Sequence, residues 1–197
     1  MKVAIIHEWL TSYAGSEKVL EQILKIFPDA ELYAVVDFLP ENQRDFIMHK
    51  NVHTTFIQNL PKARTSFRKY LALMPLAIEQ FDLRKFDLVI SNSHCVAKGV
   101  IVGPDQLHIS YVNSPIRYAW DMQNEYLAGE GITKGVKSWI VKIILHYMRI
   151  WDSHTANGVD YLIGNSRYIT RRIKKCYRRE ADCIYPPVDI NGFSMKE

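Results

Sequence analysis

Three short segments of this 197-residue chain concentrate side chains that can exchange hydrogen bonds with a ligand. They read Ser91-Asn92-Ser93-His94, Asn113-Ser114-Pro115-Ile116-Arg117 and Asn165-Ser166-Arg167, and each closes an apolar run. Small hydroxyl and amide groups at such a place donate and accept hydrogen bonds without blocking a cleft. The same residue types are also ordinary turn formers and helix caps, and both readings stand at this level.

Other chemistries are poorly supplied. The glycine patterns of dinucleotide and P-loop sites are missing, as are the nucleophile elbow and the H-E-x-x-H zinc motif. His49 and His53 lie four residues apart, but the intervening residues carry no helix signal and no third ligand is evident. The chain has no Asp-x-Asp pair to clamp a diphosphate through a divalent metal, so neither a metal nor a cofactor is expected. Cys95, Cys176 and Cys183 form an odd count with no C-x-x-C spacing, which fits free thiols in a reducing cytoplasm.

The polar segments need strands behind them. Residues 2–9 (KVAIIHEW) have the β-branched, apolar character of a strand buried in a parallel sheet. TSYAGS then breaks the run, and residues 16–28 follow with apolar side chains at helical spacing, Ser16 as expected N-cap and Pro28 as stop. Further strands are expected over 31–38, 52–57, 86–93, 108–115 and 161–166, with a short last one over 181–189. Helical stretches lie between Ala63 and Phe81, broken at Pro75, and from Arg167 to about Arg179. Strands separated by helices predict one α/β domain with a doubly wound, mostly parallel sheet. In such a sheet ligands lie beyond the carboxyl ends of the strands, where the three polar segments fall.

Charge is unevenly placed. The net charge is +4, yet residues 171–180 hold six basic residues and one acid, leaving the remainder close to neutral. Arg171, Lys174, Lys175 and Arg178 share one helical face, the pattern of a solvated outer helix, and no nucleic-acid partner is expected. Between Ile132 and His154, Trp139, Ile140, Ile143, Ile144, Tyr147, Met148 and Trp151 recur at helical spacing with lysines around them. Core packing is the expectation for this stripe; the alternative is a basic amphipathic helix resting on an anionic bilayer through 132–154 and 171–179. No apolar run approaches the ~20 residues of a spanning helix, and Glu8 interrupts the N-terminal apolar stretch where a signal peptide would continue.

YAGSEKVL (13–20), SNSHCVAKGV (91–100), YVNSPIRYAWD (111–121) and NSRYITRRIKKCY with IYPPVDINGF (165–177 and 184–193) together resemble glycosyltransferase family 4. Within it they resemble the bacterial mannosyltransferase-type members that build surface polysaccharides. The resemblance implies a GT-B fold of two Rossmann-like domains. Residues 1–193 correspond to the N-terminal, acceptor-side domain and 194–197 to the start of the interdomain linker, with no counterpart here of the C-terminal nucleotide-sugar domain. The implied activity is retaining, metal-independent transfer, with GDP-mannose as donor and a polysaccharide or lipid-linked acceptor, by a cytoplasmic protein peripheral to the membrane's inner face. This stretch alone is expected to be inactive. Two alternatives remain: a non-catalytic glycan- or glycolipid-binding module or split-enzyme subunit, and a stand-alone nucleotide-binding α/β protein.

The resemblance also implies roles. Ala14, Gly15 and Ser16 match the glycine loop that approaches the donor diphosphate, consistent with a helix N-terminus as an anion site. His94 matches a histidine that meets an acceptor hydroxyl or the donor sugar. Asn113 stands where many members carry a catalytic histidine; an amide still hydrogen-bonds but cannot hold a proton. Arg117 is implied to contact an anionic acceptor or the diphosphate, Trp120 to stack on a sugar face, and Asp121 to receive hydroxyls.

Overall fold

The computed structural model describes residues 1–188. Its centre is a seven-stranded sheet in which every pairing is parallel, ordered β3-β2-β1-β4-β5-β6-β7. The strands are β1 (Val3–Leu10), β2 (Glu31–Asp37), β3 (Val52–Thr54), β4 (Leu88–Ser93), β5 (Leu107–Val112), β6 (Tyr161–Gly164) and β7 (Asp182–Cys183). The helices are α1 (Gly15–Ile26), α2 (Ala63–Ser66), α3 (Met74–Ile78), α4 (Gln123–Gly129), α5 (Gly135–Thr155) and α6 (Arg167–Tyr177).

The near-continuous apolar run of β1 follows from burial on both faces. Ala4 and Ile6 join one hydrophobic cluster, which includes Met74 and Ile78 of α3 and Met148 and Trp151 of α5. Val3, Ile5 and Leu10 join the opposite cluster, with Leu20 and Leu24 of α1. The sheet is therefore sandwiched between helical layers. The order in which strands are added reverses between β1 and β4, so the crevice of this Rossmann-like order opens at their carboxyl ends.

Several expected boundaries shift. Residues 52–57 give a strand only over Val52–Thr54, because Thr55 turns its hydroxyl to accept from Ile57 N–H at 3.2 Å and starts a 3₁₀ turn over Phe56–Asn59. The stretch 63–81 divides into α2, a 3₁₀ segment over Phe67–Leu73, and α3, which carries Pro75 in its first turn, where no N–H is needed. Of 181–189 only Asp182–Cys183 pairs as a strand; Asp189 and the expected linker at 194–197 lie outside the described residues.

The largest departure concerns α5. Met148 and Trp151 are buried, but Trp139 is 66% and Ile150 58% exposed, and Val136, Ile140, Ile143 and Tyr147 are exposed beside them. The helix is apolar on two faces, and the sheet covers one. No helix among the described residues is long and apolar enough to cross a membrane.

A turn at Ala97–Gly99 seats against α5 so closely that a Cβ on Gly99 would lie 2.2 Å from the Trp151 ring. Trp151 is itself held, its indole N–H donating to Glu79 Oε1 at 2.7 Å. Gly99→Ala therefore overpacks the core and should destabilise the protein by about 1–3 kcal/mol. Calorimetry should read this as a melting temperature lower by roughly 3–10 °C.

Candidate functional site

The carboxyl ends of β1, β4, β5 and β6 are bound to one another by side chains. His7 of β1 is paired in register with Asn92 of β4, and the two side chains meet at 3.3 Å. Asn92 Nδ2 also donates to Ser16 O at 2.7 Å, and its Oδ1 accepts from Asn113 Nδ2 at 2.6 Å. Asn165 continues the row, donating to Asn113 O at 3.1 Å and receiving the Ser166 hydroxyl on its Oδ1 at 3.1 Å. The three polar segments thus interlock, one amide to the next.

At the β1 end the row is anchored on α1. With His7 Nδ1 accepting from Asn92, its Nε2 carries the proton and donates to Glu17 Oε1 at 3.1 Å. Glu17 also accepts from Ala14 N–H at 3.1 Å and from the Ser16 hydroxyl at 3.0 Å. Burial alone would raise its carboxyl; the His7 and Ser16 hydrogen bonds outweigh that and hold it below the ordinary value. The N-cap of α1 is Ala14, not Ser16, because Glu17 reaches back over the first turn to satisfy the Ala14 N–H.

Glu8, next to His7, is completely buried. Its carboxylate accepts five hydrogen bonds: the Ser93 hydroxyl at 3.1 Å, and the N–H groups of His94 (2.9 Å), Cys95 (2.6 Å), Val96 (2.9 Å) and Ala97 (3.1 Å). Such a nest of successive N–H groups is what a buried anion requires. Burial pushes the carboxyl up, but His94 and the backbone donors together hold it below its ordinary value.

The same nest positions His94. Its ring stands edge-on to Trp9, centroids 4.7 Å apart. Burial lowers its imidazole below the usual value, Glu8 opposes that, and Arg117 adds to the lowering. At neutral pH it is an uncharged ring with one donor and one acceptor nitrogen, able to hydrogen-bond a hydroxyl from either side.

These elements enclose a cavity of about 680 Å³ at the strand ends, within the range of small-molecule sites. Gly15, Ser16, His94, Asn113 and Arg117 line it, so five of the eight sequence-derived candidates converge there. Ala14 flanks it as the α1 cap. Trp120 and Asp121 do not line it. Trp120 is half-buried and donates its indole N–H to Asp152 Oδ2 at 2.7 Å, while Asp121 pairs with Arg172 Nη1. Asp152 is fully buried and also holds Lys98 and the Tyr177 hydroxyl, which makes that cluster an internal tie between α5, α6 and the 97–99 turn.

Sequence reasoning missed Lys18, Tyr168 and Arg172, which also line the cavity, together with Asn165, Ser114, Met122 and Ile169 and with Pro186 and Pro187. Arg172 carried a legible sign: at helical spacing it falls with Ile169, Ile173 and Tyr177 on the buried side of α6, away from the exposed Arg171, Lys174, Lys175 and Arg178. Among the described residues, no three His, Cys, Asp or Glu side chains gather as a metal-binding group.

No family model matches the chain, and no curated protein matches it. Solved structures do. The crystal structure of Anabaena HepE in complex with UDP aligns with 97% of this chain and 45% of its own, at TM-score 0.52 and 15% identity. HepE in complex with UDP and glucose aligns with 95% and 45%, at TM-score 0.51 and 15% identity. The likeness is one of fold. This Rossmann-like chain spans less than half the length of the HepE chain it matches.

Replacing Glu8 by Gln puts an NH₂ group into a nest of donors and leaves N–H groups without an acceptor. The expected cost is about 3 kcal/mol, seen as a fall of roughly 6–12 °C in melting temperature. Because the folded carboxyl titrates below its unfolded value of about 4.3, its contribution is complete above that pH. It is lost as pH falls through the folded value, and acid titration of E8Q should lack that part of the loss.

Proposed function

We propose that residues 1–193 are the acceptor-side half of a GT-B glycosyltransferase whose donor is a nucleoside-diphosphate sugar. One observation carries the reading. The first turn of α1 opens onto the strand-end cavity, and a Cβ on Gly15 would meet nothing within 4 Å. The protein's own packing places no demand for glycine there. A ligand approaching the N–H groups of a helix N-terminus does, and the dipole favours a negatively charged one. The motif resemblance supports the same reading, as does the shared fold with HepE, whose structure holds UDP and glucose. Residues 194–197 then begin a linker to a nucleotide-sugar domain, and the 188–193 stretch precedes it.

In this reading an acceptor hydroxyl attacks the anomeric carbon from the side the diphosphate leaves. The bond from that carbon to the phosphate oxygen breaks, and the hydroxyl proton passes to the departing phosphate. Configuration is retained, and neither a metal nor a protein base is required. The residues here do three things. Gly15 and Ser16 meet charge that develops on the leaving diphosphate, worth most in a site closed to water. Neutral His94 orients the hydroxyl. Asn113, its amide nitrogen taken by Asn92, fixes the cavity wall without moving a proton. The donor is GDP-mannose on the motif resemblance and a uridine nucleotide on the structural one, and a donor panel decides between them.

Gly15→Ala is the direct test. Alanine suits the helix better, so melting temperature should stay level or rise slightly. Transfer by the whole protein, two domains present, should fall at least tenfold, about 1.4 kcal/mol of transition-state stabilisation. Unchanged transfer would remove Gly15 from the donor site.

The second partner is an anionic bilayer. The exposed stripe Val136, Ile140, Ile143, Tyr147 and Ile150 lies along one face of α5, with Trp139 beside it. Lys137 and Lys142 are exposed on its two flanks at about 3.6 residues per turn. From Gly131 to Trp151 the chain holds four basic residues and no acid. Such a helix buries its apolar face among acyl chains while the lysines reach the headgroups. At low salt the protein should sediment with phosphatidylglycerol vesicles and not with phosphatidylcholine ones. A Trp139→Gln, Ile143→Gln variant should stay in the supernatant at unchanged melting temperature. A concentration-dependent dimer abolished by the same variant, with no vesicle binding, would give this face to a second copy instead.

A further inference from the structure

Arg172 has an unused edge. More than nine-tenths of the residue is buried, on α6 against the cavity that Gly15, His94 and Arg117 line. Its Nη1 is engaged by Asp121 and lies 3.4 Å from the Tyr168 hydroxyl, and the guanidinium sits 5.8 Å from the centroid of the Tyr168 ring. Its Nε and Nη2 are shut off from water and have no hydrogen-bond partner. Those two nitrogens share the edge of a guanidinium that grips an oxyanion with two parallel N–H bonds. Buried donors on a cation are seldom left unmade, and an unsatisfied pair beside a ligand-sized cavity is a place kept for an acceptor.

The surroundings say which acceptor. Arg117 and Lys18 line the same cavity, so three cationic side chains face it, together with the N-terminus of α1. The nearby carboxylates do not neutralise them: Glu8 is closed in its nest and Glu17 is held by His7, Ser16 and Ala14 N–H. Asp121 offsets one charge from the exposed side. The remaining positive excess suits a doubly charged oxyanion better than a carboxylate.

We propose that Arg172 is a ligand-binding residue, its Nε and Nη2 edge receiving a phosphoryl group in the cavity, with Arg117 and Lys18 completing the charge. Phosphoryl binding stands on this geometry alone. Whether the carrier is the donor diphosphate or a phosphorylated acceptor rests on the transferase reading.

The test is a titration of the folded chain, followed by its amide resonances at low ionic strength and neutral pH, with inorganic phosphate, glucose 1-phosphate and UDP. Wild type should bind inorganic phosphate saturably, shifting resonances of Gly15, Ser16 and Arg172. Arg172→Lys keeps the charge and loses the fork, and should weaken binding at least tenfold. Asp121→Asn, an exposed change, removes a competing carboxylate and should strengthen binding several-fold; it carries the test should R172K fail to fold. With phosphate binding weakened, a larger loss for UDP than for glucose 1-phosphate assigns the edge to the donor, and the reverse assigns it to the acceptor. Absence of saturable phosphate binding, or affinities unmoved by R172K and D121N, would overturn the proposal. Transfer by the whole protein that persists while R172K leaves phosphate binding intact sinks this inference alone. Phosphate binding that depends on Arg172, in a protein that transfers no sugar, sinks the transferase reading instead.

Discussion

A carboxylate buried at the end of a central strand governs this site. Glu8 cannot keep its charge inside the sheet without donors around it, and the chain after β4 supplies them from Ser93 to Ala97. That requirement sets the course of the loop. It turns His94 to the cavity against Trp9, and it delivers Lys98 to Asp152, which in turn holds Trp120 and Tyr177. One buried anion is solvated by backbone, and a second by a lysine, a tryptophan and a tyrosine. Between them they tie β1, β4, α5 and α6 together beneath the cavity.

Above that foundation the amide row does a different job. His7, Asn92, Asn113 and Asn165 each spend a polar group on the next, and this row holds Asn113 and Asn165 in place in the cavity lining. Preorganised dipoles of this kind need no rearrangement as charge develops. Three of these four side chains are amides, which carry no charge. Positive charge stands apart from them, on Lys18, Arg117 and Arg172 and at the start of α1. Amides on one part of the lining and cations on another suit a ligand with hydroxyls at one end and phosphate at the other, as a sugar phosphate has.

Legibility followed burial. β1 and β4 were readable because strands covered on both faces leave apolar runs, and the polar endings of β4, β5 and β6 marked the ligand side of the sheet. Between Ala63 and Phe81 the apolar spacing looked helical with a break at Pro75, while the chain used three short turns, since Pro75 starts a helix as readily as it ends one. Ser16 was the conventional cap for α1, yet Glu17 closed the turn from within. Trp120 and Asp121 looked like ligand contacts beside Arg117, and the structure turns one to Asp152 and pairs the other with Arg172. Periodicity located α5 but could not say which of its two apolar faces met the sheet. Glu8 was noticed as a charge in an apolar run; its meaning depended on N–H groups almost ninety residues away.

The central proposal is a division of labour: this domain is to grip phosphate and position the acceptor, and recognition of the nucleoside is to belong elsewhere. Titration calorimetry of the chain with GDP-mannose, UDP-glucose and inorganic pyrophosphate tests it most directly. The account predicts weak binding of all three, with affinities within about threefold of one another, because the base adds nothing to what the phosphates contribute. Sub-millimolar binding of one nucleotide sugar, lost on changing its base, would contradict it and place a complete donor site within these residues.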